Sequence, residues 1–268
     1  MGKNLENSVA IITGASSGIG RETAILLAQK KVKVTLAARR ENRLEEVAGK
    51  INRLEGEVLV IPTDVSDQTQ VERMIGRTLE RFGRIDILVN NAGFGQLASI
   101  EETSPEDMLE IMGVNLMGTF YATKATLPQM RKQGSGHIIN ISSVAGKRGF
   151  PFLGAYCATK FAINAISESM RIELTGTGIY VSLVYPVTTT TEFFDVIISR
   201  EGRGFEASKM FTQSANQVAK AIVKCAENPR PEVLPLPFAR LLILMNATMP
   251  GVLDFFLRRY YRSKSMIK

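Results

Sequence analysis

Along most of the chain, short apolar, β-branched runs alternate with longer stretches in which apolar residues recur every three or four positions. The runs predict strands at 9–13, 32–38, 57–62, 86–90, 136–142 and 179–185, with a last one near 232–236. The longer stretches predict helices near 18–30, 41–55, 67–82, 104–132, 154–175 and 214–227. Runs that are apolar without alternation, such as Val9-Ala10-Ile11-Ile12-Thr13, suit a sheet buried on both faces. The order predicts right-handed βαβ units and an α/β fold, a doubly wound parallel sheet of about seven strands with helices on both faces. A ligand is expected across the carboxyl ends of the strands.

The pattern changes beyond residue 236. Residues 238–245 and 252–257 are apolar helical segments broken at Met249-Pro250-Gly251. Arg240, Asn246, Asp254 and the break argue against a spanning helix, which needs about 20 nearly continuous apolar residues. Arg258, Arg259, Arg262, Lys264 and Lys268 follow without a single acid, and supply most of the net charge of +7.

Composition narrows the chemistry. The 268 residues are 45% hydrophobic and 22% charged, with no low-complexity segment, as expected of a chain that buries a sizeable core. Cys157 and Cys225 give no disulfide framework, and no signal peptide precedes the first strand, which points to the cytoplasm. His137 is the only histidine, so no metal site is expected and a Ser-His-Asp triad is improbable. The charge outside the tail is nearly balanced and carries no recognition motif, which excludes nucleic acid as a partner.

Proton transfer must then fall to another group. Tyr156 and Lys160 stand one helical turn apart, with Ser143 thirteen residues upstream. A phenol ionises near pH 10, so work near neutrality needs a neighbouring cation to stabilise the phenolate, and a lysine at i+4 on the same helical face supplies one. A serine hydroxyl from a neighbouring strand could hold a carbonyl or alcohol oxygen. Ser142 is adjacent, but strand alternation puts the two serines on opposite faces, and the spacing to Tyr156 favours Ser143. The first strand runs into Gly14-Ala15-Ser16-Ser17-Gly18-Ile19-Gly20, where glycines permit a tight turn and let backbone approach a phosphate at the next helix N-terminus. The second strand ends at Ala38, followed by Arg39 and Arg40. A carboxylate there would accept from the 2′-hydroxyl of NAD, whereas arginine accommodates the 2′-phosphate, so NADP(H) is expected in preference to NAD(H).

From about Asn7 to Lys224 the chain resembles the short-chain dehydrogenase/reductase family, in its compact single-domain branch. The resemblance rests on Thr13 to Gly20, Thr63-Asp64-Val65, Asn90-Asn91-Ala92-Gly93, Asn115, Ile141-Ser142-Ser143, Tyr156-Cys157-Ala158-Thr159-Lys160 and Pro186. It implies a Rossmann-type fold and hydride exchange between a nicotinamide and a carbonyl carbon. Tyr156 would donate the proton and Ser143 hold the oxygen. Lys160 would bind the nicotinamide ribose and lower the tyrosine pKa, with Asn115 anchoring it through a water. Asp64, beside Val65, would cap the adenine, Asn91 would sit by the adenosine ribose, and Ala92 and Gly93 would give the cofactor close passage. Thr191 falls where the family's carboxamide-binding threonine lies, in an uncertain register, since residues 188–191 are all threonine. One departure is that Val187 follows Pro186 where the family usually has glycine.

The implied organisation is a dinucleotide-binding and catalytic domain at 1–236, with a substrate lid at about 187–212, and an apolar and basic extension at 237–268. The implied oligomer is a homodimer or homotetramer. Phe193, Phe194, Val196, Ile197, Ile198, Phe205, Met210 and Phe211, with Phe150, Pro151, Phe152 and Leu153, read either as a lid over a lipophilic ketone or alcohol or as ordinary lid packing. The extension reads either as a helix pair packed on protein, the favoured reading, or as a peripheral contact with an anionic membrane through 238–268. Two alternatives to an NADP(H)-dependent reductase stay open: a sensor that binds a dinucleotide without turnover, and an NAD-dependent dehydrogenase of the same family. The intact Ser143, Tyr156 and Lys160 favour the enzyme.

Overall fold

The computed structural model describes residues 2–194, 198–199 and 212–263. In chain order its elements begin β1 (Val9–Thr13), α1 (Gly18–Gln29), β2 (Lys33–Ala38), α2 (Glu41–Asn52), β3 (Val58–Pro62), α3 (Gln68–Phe82) and β4 (Ile87–Asn90). There follow β5 (Gln96–Leu97), α4 (Pro105–Met112), a π-helical turn (Gly113–Met117), α5 (Gly118–Gln133), β6 (Gly136–Ile141), a 3-10 turn (Val144–Gly146) and α6 (Gly154–Glu173). The chain continues through β7 (Ile179–Val184), β8 (Thr188–Thr190), β9 (Ile198–Ser199), β10 (Thr212–Ser214), α7 (Ala215–Glu227), β11 (Glu232–Val233), α8 (Ala239–Thr248) and α9 (Pro250–Ser263).

Seven strands form one parallel sheet in the order β11-β7-β6-β4-β1-β2-β3. Strand alternation explains its two faces. Ala10 and Ile12 of β1 join Ala24, Leu27, Val218 and Ile222 in the core under α1, α2 and α7, while Ile11 points into the opposite core with Val71, Met74, Ala122 and Met170. Helices therefore cover both faces, as the sequence pattern predicts. Chain order reverses between β1 and β4, and that switch point opens a crevice at the carboxyl ends of the strands.

Local chemistry sets the ends of the elements. Asp67 caps α3 by accepting from Thr69 and Gln70 N–H, and Gly83 closes the helix at φ 75°. Ser104 caps α4 ahead of Pro105, and Ser214 with Gln217 forms a reciprocal capping box at α7. The stretch predicted as one helix at 104–132 is interrupted by the π-helical turn that carries Asn115, and β11 is shorter than the predicted 232–236.

Beside the main sheet, β8 pairs with β10 and β5 with β9, both parallel, so the two ends of the predicted lid are tied down. Val196, Ile197, Phe205, Met210 and Phe211 lie outside the described residues. Helices α8 and α9 meet at a 118° bend, and no described helix is by itself long and apolar enough to cross a membrane. The bent pair folds back onto the loop after β6. Arg148 donates to Asn246 Oδ1 at 2.7 Å and pairs with Asp254, Asn246 donates to the Lys147 carbonyl at 2.9 Å, and the Tyr261 ring lies 6.2 Å from that of Phe152.

Candidate active site

One cleft of about 1380 Å³ opens at the carboxyl ends of the strands, and every predicted site residue except Gly20 and Asn115 lines it. Its cofactor end is built from the glycine turn. Gly14 and Gly18 have φ of 64° and 52°, a backbone region costly for other residues. A Cβ on Gly14 would stand 2.8 Å from Asn91 Nδ2, one on Gly18 would stand 3.0 Å from Thr191, and one on Gly20 would run into the Gly14 carbonyl. Asn91 clamps the turn by donating to the carbonyls of Thr13 at 2.9 Å and Gly14 at 3.2 Å, while the Thr13 hydroxyl accepts from Asn91 and Ala92 N–H. The first turn of α1 begins at Ser17 with no side-chain cap, so its N–H groups are left for an anion.

Arginines close the far wall. Arg40 donates to Ser16 Oγ at 3.2 Å and Ser17 Oγ at 3.0 Å and pairs with Glu192 at 3.0 Å, while exposed Arg39 lines the cleft beside Ala38. Asp64 receives the Ser66 N–H and hydroxyl, so its carboxylate is fixed at the cleft edge next to Val65. Small residues, an unblocked helix N-terminus and an arginine bonded to Ser16 and Ser17 fit the phosphates of a dinucleotide.

At the reaction end, strand alternation separates the two serines as predicted. Ser142 is buried and donates to Asn164 Oδ1 at 2.7 Å, whereas Ser143 begins the 3-10 turn, accepts from Ala145 N–H and meets the Tyr156 phenol in a hydrogen bond. Tyr156 lies in the first turn of α6, where the helix dipole favours an anion. Burial pushes the phenol well above its ordinary 10.0, and the Ser143 hydrogen bond pulls the other way. Phe193 stands edge-on to the phenol ring at 5.6 Å.

Lys160 lies one turn along α6 from Tyr156, buried at the floor of the cleft. Its ammonium donates to the Ile141 carbonyl at 2.8 Å and lies 5.6 Å from the Tyr156 ring centre, and burial lowers its pKa from 10.5 to about 8. Asn115 is buried behind Gly93, where it donates to the Phe94 carbonyl at 3.0 Å and to Thr159 Oγ1 at 3.2 Å. Thr159 in turn donates to the Tyr156 carbonyl at 2.7 Å, so Asn115 is tied to the first turns of α6.

Pro186 accepts from Val144 N–H, and Val187 is buried in the cleft wall beside it. Of the four threonines, Thr191 lies against Gly18, and its hydroxyl accepts from Phe193 N–H at 3.2 Å. Sequence reasoning missed the part played by the extension. Leu242, Ile243, Leu253, Phe256, Leu257, Tyr260 and Tyr261 line the same cleft. Their spacing in α9 (253, 256, 257, 260) is an inward-facing stripe, the one signal that could have shown it. Arg148 and Glu192, single charges in apolar or polar loops, carried no signal.

A glycine-turn cradle at one end of the cleft, with Ser143, Tyr156 and Lys160 gathered at the other, fits an oxidoreductase that works with a nicotinamide cofactor. Residues 8–202 match the family model of the short chain dehydrogenase. The chain is 40% identical over 200 residues to an uncharacterized oxidoreductase of Staphylococcus saprophyticus, covering 74% of this chain and 80% of that one. It superposes with a TM-score of 0.84 and 28% identity on a short chain dehydrogenase/reductase from Burkholderia phymatum in complex with NAD, over 93% of this chain and 96% of that one. An alcohol dehydrogenase from the archaeon Thermococcus sibiricus, complexed with 5-hydroxy-NADP, is similar at a TM-score of 0.76 and 31% identity, over 85% and 95% of the two chains. The chain belongs to the short-chain dehydrogenase/reductase family and acts on CH–OH groups with NAD(P).

Proposed function

We propose that the chain interconverts a hydrophobic ketone or aldehyde with its alcohol, using NADP(H) in preference to NAD(H). The observation that carries this reading is the half-buried Tyr156 phenol, hydrogen-bonded to Ser143 on the wall of an apolar cleft. NADP(H), when bound, supplies or receives the hydride. Tyr156 gives its proton to the carbonyl oxygen in reduction and recovers it in oxidation, while Ser143 holds that oxygen in line. Lys160, pinned to the Ile141 carbonyl at 2.8 Å, presents an ammonium to the cofactor ribose and to the phenolate left after proton transfer. Asn115 helps to anchor Lys160 through a water, and Thr191 serves the carboxamide end of the cofactor. Gly14, Ser16, Ser17, Gly18, Ile19, Asp64, Val65, Asn91, Ala92, Gly93 and Pro186 form the cofactor's bed. The NADP preference rests on Ala38 in place of an acid and on Arg39 and Arg40 at the same strand end.

Phe150, Leu153, Val187 and the tail residues support a lipophilic substrate of steroid, fatty acyl or aromatic type. Residues 1–236 serve as the catalytic domain, working in the cytoplasm as a homodimer or homotetramer, with 237–268 as an extension that completes the substrate wall. Half-exposed Phe120 of α5 and Phe161 of α6 are apolar surface suited to a subunit contact.

The test is Tyr156→Phe against a panel of hydrophobic ketones read by NADPH oxidation. Turnover should fall about 10²–10⁴-fold, the usual contribution of a positioned acid, while NADPH affinity stays within about twofold. A variant that kept the parent's kcat would remove Tyr156 from the chemistry.

A further inference from the structure

Helices α8 and α9 carry two apolar faces. The inner one, with Leu253, Leu257 and Tyr261, lines the catalytic cleft. The outer one exposes Leu241 and Leu244 on α8 and Val252 and Phe255 on α9, at 49%, 57%, 42% and 64% of their surfaces, and none of these four lines the cleft. A side chain left that open in a well-packed protein marks a contact surface when it recurs as a stripe. It does recur. Val252, Phe255, Arg259 and Arg262 follow one face of α9 at helical spacing, apolar first and basic last. Phe256 belongs to both faces, since it lines the cleft and is still 55% exposed. It is the lip of the cavity.

Charge decides what covers the outer face. Exposed Arg240, Arg258, Arg259 and Arg262 surround it, and the one acid in residues 239–263, Asp254, is committed to Arg148. A second copy docked through the same face would bring arginines against arginines with no acid to answer them. Phosphate headgroups answer them, and the apolar stripe then enters the acyl boundary as an interfacial helix does. Neither helix of the pair is by itself long and apolar enough to cross such a surface, and the two meet at a bend of 118°.

We infer that the outer face of the α8–α9 pair docks on an anionic lipid surface, and that docking sets the cavity lip at Phe256 against the lipid, so that the substrate passes from membrane to cleft without crossing bulk water. The substrate route rests on the hydrophobic-carbonyl reading above; the docking does not. It makes the substrate a membrane-dissolved ketone or alcohol, and the extension both anchor and doorway.

Because the chain has no tryptophan, Phe255→Trp and Phe256→Trp are single reporters of the outer face and the lip. With phosphatidylcholine vesicles containing phosphatidylserine at low salt, emission from both should shift to the blue and be quenched by brominated acyl chains. Pure phosphatidylcholine or added salt should weaken the response. Leu241→Gln with Leu244→Gln and Phe255→Gln should cut co-sedimentation at least tenfold. The same variant should keep the parent's rate on a small water-soluble ketone and raise KM about tenfold for a long-chain ketone dissolved in the vesicles. Silence of both reporters with anionic vesicles at low salt overturns the proposal. So does a parent that ignores vesicles and whose mass by light scattering halves in the glutamine variant, which would assign the face to a second copy. Quenching at residue 255 but not at 256, with unchanged KM, overturns the substrate route. A parent that turns over no ketone counts against the proposed function, and the tryptophan reporters still decide the docking.

Discussion

At Arg40 the guanidinium already donates to Ser16 and Ser17 and pairs with Glu192, with 43% of the side chain still open to solvent. A 2′-phosphate brought to this wall meets a guanidinium whose charge Glu192 already partly answers. Glu192 is therefore a competitor for the group that reads the phosphate, and an exposed ion pair of this kind is worth about 0.2–1 kcal/mol. Glu192→Gln should tighten NADPH binding by roughly two- to fivefold with NADH unchanged, and Arg39→Ala should weaken NADPH by roughly 1.5–3 kcal/mol, again with little effect on NADH. Fluorescence titration of both cofactors measures both; equal changes for NADPH and NADH would refute the assignment. Lys160 makes a separate prediction. Burial lowers its pKa from 10.5 to about 8, so between those values the unfolded chain holds a proton that the folded chain has released. Stability from this group must rise as pH climbs through that window, by at most ~1.4 kcal/mol per pH unit. Above pH 10 the raised Tyr156 pKa works in the opposite direction, so the interval to read is about 8 to 10. Across it the cofactor-free protein should gain melting temperature relative to Lys160→Met; parallel curves would show that the ammonium is not desolvated.

The elements differ in how openly the sequence declares them. Strands β1, β4 and β6 are buried on both faces, so a bare apolar run predicts each to within a residue or so. The π-helical turn at Gly113–Met117 was not legible, because one extra residue in a helical turn scarcely disturbs apolar periodicity over the long stretch around it. In the site, the glycine turn, Ser143, Tyr156 and Lys160 were legible because each chemistry demands a residue type at a fixed spacing. The place of α8 and α9 was not. Their break is written in Met249-Pro250-Gly251, but the direction of the fold-back is set by Arg148, about a hundred positions upstream of Asn246 and Asp254. Removing that clamp should free the arm. Arg148→Met leaves Asp254 without its partner, a loss of about 1–3 kcal/mol for a partly buried charged contact. Limited proteolysis should then cut faster at the 249–251 break, and KM for a hydrophobic ketone should rise about five- to tenfold as the cleft loses one wall. Unchanged cleavage together with unchanged KM would mean that the apolar contacts of α8 and α9 hold the arm alone.

At the scale of the whole molecule, the cleft joins segments from every part of the chain, from Gly14 to Tyr261. A ligand that fills it must therefore steady the entire fold and not one loop. Binding to the native state alone stabilises by RT ln(1 + [L]/Kd), about 2.7 kcal/mol at a hundredfold excess over Kd. For a chain of 268 residues that is on the order of 5–10 °C in Tm. The two cofactors should separate on this measure. If Arg39 and Arg40 contribute the expected contact to the 2′-phosphate, NADH at the same concentration binds at least tenfold more weakly and forfeits about 1.4 kcal/mol, several degrees of the shift. Thermal melts of the wild type with NADPH and with NADH should thus differ, and the gap should close in Arg39→Ala, where both give the smaller shift. Melts in which NADH protects as well as NADPH, or better, would place this chain with the NAD-dependent members of its family.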